Sequence, residues 1–183
     1  MPGSAGNLLV AWTARLAIAA WGLRLTHDLA RPSPSASLGI CLLWTAGGLL
    51  NLLHVLAAFH YVHDWDVAAA WDHVARQTAA VTGWHWGGGL YVNYAFTLLW
   101  LADVAVTWQA YRRNRLLPRW YVGSLHAVFA FMVLNATVVF GPPVWRVVAP
   151  LFVATLVATW FVSRRTSRTP DPEPGPSGSD RPH

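Results

Sequence analysis

Five of the eight histidines, His54, His60, His63, His73 and His85, fall within 32 residues. Asp64, Asp66 and Asp72 lie among them. Imidazole with carboxylate suits zinc, copper, iron or nickel, and neutral imidazole is the commonest metal donor. His60 and His63 stand three apart, which puts both rings on one face of a helix end. The spacing predicts a transition-metal centre (zinc, copper or iron) with donors drawn from His60, His63, Asp64, His73 and His85. His54, Asn93 and Asn135 are expected behind it, orienting the ligands. The HExxH pair of the zincins and the repeated histidine boxes of membrane di-iron enzymes are both absent. The competing reading is a solvated, hydrogen-bonded polar surface.

Arg15, Asp103 and His126 form a second set, because each interrupts a long apolar stretch. Ionisable groups inside a bilayer are costly and default to functional hypotheses. Counted along their helices, the three lie within ~5 Å of one depth. That predicts an Arg15–Asp103 pair with His126 alongside, either fixing helix packing or carrying protons. His54, Asn93 and Asn135 also share a depth, which predicts hydrogen bonds between helices. His54 and His126 do not suit a bis-histidine haem, since their depths differ by about 15 Å.

The elements that must position these groups follow from composition. Of 183 residues, 55% are hydrophobic and 11% charged, against about 25% charged in a typical soluble domain. All 13 basic side chains are arginine. Disorder of the whole chain is excluded, and without clustering on one face the arginines make no nucleic-acid site. The lone Cys41 rules out intrachain disulfides, CxxC redox motifs and thiolate zinc sites. No positively charged n-region precedes the first apolar run, so a cleaved signal is not expected.

A membrane-spanning helix needs about 20 apolar residues. Residues 38–62, 90–110, 120–140 and 144–163 qualify, and 8–23 is a shorter fifth segment that either spans or lies in the interface. From Asp66 to Val81 the residues Val67, Trp71, Val74, Thr78 and Val81 recur at helical spacing, predicting a short interfacial helix over 66–81 that Gly87–Gly89 then ends. Gly47–Gly48 permits close helix approach. Pro150 is a kink candidate, and Pro142–Pro143 ends the fourth span. Residues 1–163 therefore read as one all-α polytopic membrane bundle, and 164–183, rich in proline, as a disordered tail.

Cytoplasmic loops carry the excess of arginine. Arg24 and Arg31 follow the first span, Arg112, Arg113, Arg115 and Arg119 the third, and Arg164, Arg165, Arg168 and Arg181 the fifth. Ten of 13 arginines thus fall on alternate loops. This predicts a plasma or inner membrane protein with a cytoplasmic C-terminus and an extracytoplasmic His63–Gly89 segment. Trp65, Trp71, Trp84, Trp86 and Trp145 are placed at the outer boundary and Trp21, Trp108, Trp120 and Trp160 near the inner one, as anchors rather than a ligand cage. Three functions fit: metal binding at the outer face, a non-catalytic accessory or scaffold subunit, or a small proton-coupled transporter using Asp103, His126 and Arg15. The expected partners are the lipid bilayer and a second copy or another membrane subunit.

Overall fold

The computed structural model describes residues 4–31, 36–141 and 143–166. From residue 167 onward the expected tail lies outside the described residues. Regular structure among the described residues is all helical. The elements are α1 (Ser4–Leu29), α2 (Leu38–Tyr61), α3 (Val67–Thr82), α4 (Gly89–Arg112), α5 (Arg119–Leu134) and α6 (Trp145–Thr166). A π-helical turn, Asn135–Val139, continues α5.

Among the described residues, four helical stretches are long and apolar enough to cross a bilayer: Ala5–Leu29, Leu38–Tyr61, Gly89–Arg112 and Arg119–Val139. α6 contributes the shorter apolar stretch Val147–Thr159 and contains Pro150. The molecule is a helical membrane bundle, and its exposed surface shows why. On α2, Leu42, Leu49, Leu53 and Leu56 point outward at helical spacing, as do Leu98 on α4 and Phe131 on α5. Such a surface is stable in hydrocarbon and unstable in water.

α1 is a full-length helix that extends beyond residue 23. Arg24, His27 and Asp28 therefore belong to it rather than to the following loop. α2 starts where the Ser37 hydroxyl accepts from the Ile40 amide at 3.3 Å. α1 packs along α2, which in turn packs on α4. An aromatic layer holds the bundle centre: Trp44, Trp100 and Phe129 lie with ring centroids 4.7–5.1 Å apart. Trp21 and Leu125 complete it. Trp21 is thus a core residue, in tilted ring contact with Phe152 of α6, and not an interfacial anchor. Trp108 is tied into the bundle by its indole N–H, which donates to Thr45. Trp65, Trp84, Trp86 and Trp120 are exposed, as anchors should be.

α3 lies across one end of the bundle. Asp66 caps it, accepting from the Ala68 and Ala69 amides at 2.8 and 3.1 Å, and Gly83 ends it in the left-handed region at φ 77°. Its buried contacts are Ala70 and Ala75 with Val74 beside them, packed on Phe59 and Leu90. Val67 and Val81, two of the apolar residues at helical spacing, are exposed. Small side chains let the α3 backbone approach closely, so the buried face is set by alanine and not by valine.

Candidate functional site

At the α3 end the five expected metal donors separate. Asp64 is exposed in a turn where it and Trp65 both adopt positive φ, 47° and 62°. The Trp65 indole donates to His60 Nδ1 at 3.2 Å, which engages that ring nitrogen. His85 faces Asp72 at 3.7 Å, and Asp72 also pairs with Arg76. Only His63 and His73 come together, with ring centroids 5.2 Å apart. Among the described residues, no three His, Cys, Asp or Glu converge as metal donors.

His63 carries a measurable consequence. Burial, and then the neighbouring His73, hold its imidazole below the ordinary value of 6.5. The docked form of α3 therefore binds fewer protons than the undocked form. Docking is fully favoured above about pH 6.5 and weakens as pH falls through the window below it. Amide hydrogen exchange in α3, corrected for intrinsic rate, should accelerate on moving from about pH 7 to about pH 5. His63→Gln should flatten that dependence, and an unchanged slope in the variant would assign it to another group.

The expected layer of His54, Asn93 and Asn135 is differently wired. His54 Nδ1 is 3.0 Å from the Val10 carbonyl of α1. Asn135 bonds back to Phe131 within its own helix. Asn93 contributes its backbone carbonyl, which accepts from Thr97, and Thr97 accepts from Asn51. Asn51, one turn before His54, is the residue that sequence reasoning passed over.

The Arg15–Asp103 pair does not form. Arg15 is exposed and lies over the Trp12 ring at 5.1 Å. The ionisable core is instead built on Arg24, His27 and Asp28, near the end opposite α3. Asp28 accepts from Arg24 Nε at 2.7 Å, from His27 Nδ1 at 3.0 Å and from His126 Nε2 of α5 at 3.1 Å. Asp103 accepts from the Trp44 indole at 2.7 Å and from the Tyr121 hydroxyl, with Thr107 at 3.5 Å. Arg24 joins the two groups, because its guanidinium lies over the Trp44 ring at 5.3 Å. Arg24, Asp28, Asp103 and His126 are all buried. Arg24 Nη1, His27 Nε2 and His126 Nδ1 have no partner among the described residues and are closed to the surface.

Charge in this core does not balance without a further proton. One permanent guanidinium faces two carboxylates, and an uncompensated buried charge is expensive. Two imidazoles, His27 and His126, stand on the Asp28 carboxylate. Asp103 and His126 were identified from sequence. Arg24 and Asp28 were hidden in an assumed loop, and Tyr121 had no local signal.

Between the two ends runs a cavity of about 400 Å³. It reaches the α3 end at His63, His73 and Gln77 and stops at Trp21 and Trp100 in the aromatic layer. Thus one side chain, Trp44, touches the cavity floor through Trp100 and hydrogen-bonds Asp103 beneath it. Comparison of the chain with family models, with curated proteins and with solved structures found no match.

Proposed function

We propose that the protein is a small proton-coupled carrier whose cavity takes up a small molecule and whose ionisable core binds the coupling proton. The observation that carries this reading is the stacking order: cavity, aromatic floor, then the Asp103–Tyr121 and Arg24–Asp28–His126 groups, joined through Trp44. Arg24 takes the role first assigned to Arg15. An occupant pressing on Trp100 bears on Trp44, whose indole N–H is donated to Asp103. Arginine placement orients the assembly. With Arg24 paired inside α1, the exposed Arg31, Arg112, Arg113, Arg115 and Arg119 at the opposite end favour a cytoplasmic position for it. The cavity then faces the extracytoplasmic side.

Asp103→Asn tests the reading. The amide oxygen still accepts from Trp44, and the Tyr121 hydroxyl reverses to accept from the amide N–H. The fold is retained while the titratable site is lost. In proteoliposomes containing a pH-sensitive dye, a potassium diffusion potential should drive proton entry through the wild-type protein. Asp103→Asn should reduce entry to the rate of protein-free vesicles with an unchanged melting temperature. Wild-type flux persisting in this variant would remove Asp103 from the path, and a collapse of the melting temperature would assign it to packing.

A further inference from the structure

The ligand class of the cavity follows from which of its polar atoms are already engaged. Thr97 has one hydroxyl proton and spends it on the Asn93 carbonyl, 2.9 Å away, which only accepts. Toward Asn51, at 3.0 Å, Thr97 must therefore accept. This fixes the Asn51 amide nitrogen on Thr97 and leaves its carbonyl oxygen, Oδ1, unengaged. The same logic fixes His54. The Val10 carbonyl only accepts, so Nδ1 carries the ring proton and Nε2 is a free acceptor. Asn51 and His54 are three residues apart on α2, on one face, and both line the cavity.

On α2 the cavity thus presents two adjacent acceptors; His63, His73, Gln77, Asn93 and Tyr94 supply further polar groups of its lining, which among the described residues contains neither arginine nor a carboxylate. The indole N–H groups of Trp21 and Trp100, which also line the cavity, are buried and without a partner among the described residues. Its walls include Phe59, Tyr94, Phe96 and Trp100. Neither acceptor has a donor among the described residues, and fixed charge is unwelcome where no countercharge lines the wall. At about 400 Å³ the cavity lies at the small end of the range for ligand sites.

From these constraints we infer that the cavity binds an uncharged, ring-bearing hydroxyl compound of the phenol or hydroquinone class. Its hydroxyl hydrogens donate to His54 Nε2 and Asn51 Oδ1, and its ring packs on the aromatic wall. The inference names the substrate class for the carrier reading and rests on that reading only for what binding accomplishes.

Equilibrium dialysis of the full-length protein in lipid nanodiscs, with empty discs as reference, tests it using trimethylhydroquinone and its dimethyl ether. The two probes share a ring and differ in hydroxyl donors. The hydroquinone should bind, and the ether should bind about tenfold more weakly or worse. His54→Phe and Asn51→Leu should bring hydroquinone affinity down to that of the ether. Equal affinity for both probes, or no binding above empty discs, would overturn the inference whether or not the variants fold. Discrimination without proton flux leaves the site standing and removes the carrier. Flux without discrimination does the reverse.

Discussion

Asp28→Ala is expected to destabilise the protein by about 3–5 kcal/mol, the largest effect of any single polar substitution in the chain. The carboxylate serves Arg24, His27 and His126 at once, and the Arg24 and Asp28 side chains are 3% and 4% exposed. Removing it leaves a guanidinium that cannot lose its proton in a site closed to water. Thermal unfolding in detergent should show a large loss of melting temperature or failure to purify as a monodisperse species. The double variant Arg24→Met, Asp28→Leu provides the decisive comparison. A buried pair replaced by apolar groups of similar volume is often neutral. Recovery of most of the lost stability in the double variant would identify uncompensated charge as the cause. A double variant as unstable as the single one would instead point to the shape of the site.

Gly47→Leu is the second. A Cβ at Gly47 would stand 2.7 Å from Trp100 Cζ2 and 2.9 Å from Ala20 Cβ. Neither neighbour can yield, because Trp100 is clamped between Trp44 and Phe129 and Ala20 Cβ is fixed to the α1 backbone. The glycine is where α1, α2 and α4 come closest, and a branched side chain there must separate all three. Overpacking of this kind costs about 3 kcal/mol or more. Gly123 on α5 is the internal control, since nothing lies within 4 Å of a Cβ built there. Gly123→Ala should be neutral or slightly stabilising, alanine being the better helix former. Equal losses at both positions would mean that glycine itself, and not the three-helix contact, matters.

The long spans were legible because hydrocarbon thickness is a coarse requirement that a run of apolar residues meets unambiguously. Residues 38–62, 90–110 and 120–140 became α2, α4 and α5 with its π turn, with ends shifted by only one or two residues. α1 was misread for an equally physical reason. Three ionisable residues in a row of five, Arg24, His27 and Asp28, look like the start of a loop when charges are counted along the chain. Their spacing carried the opposite message. Ala17, Trp21, Arg24 and Asp28 follow the four-then-three rhythm of one helix face, and all four are buried.

Arg15 shows the limit of depth as a guide. Its expected level with Asp103 followed from ending the first span at residue 23, whereas α1 runs to Leu29. Arg24, beside Trp44 and Asp103, is nine residues on, about 13.5 Å along the helix and about 180° around it. Arg15 therefore faces outward. In the histidine cluster, likewise, proximity in sequence placed the five donors at one end of the bundle, where among the described residues no three of them converge. What no reading of one helix could supply was Tyr121 beside Asp103 or His126 beside Asp28, because those pairings depend on how α5 docks.

The arrangement around Asp28 also bears on how the chain enters a membrane. α1 is synthesised well before α5, so it must reside in lipid before His126 exists to meet its carboxylate. Lone arginine and aspartate each resist insertion by about 2.5–3.5 kcal/mol at a helix centre. Here the arginine lies four residues before the aspartate, on the same helix and at 2.7 Å, with His27 adjacent. α1 thus carries its own counterion and can be released into the bilayer as a neutralised unit. His126 arrives last, as the latch that seats α5 against a helix already in place.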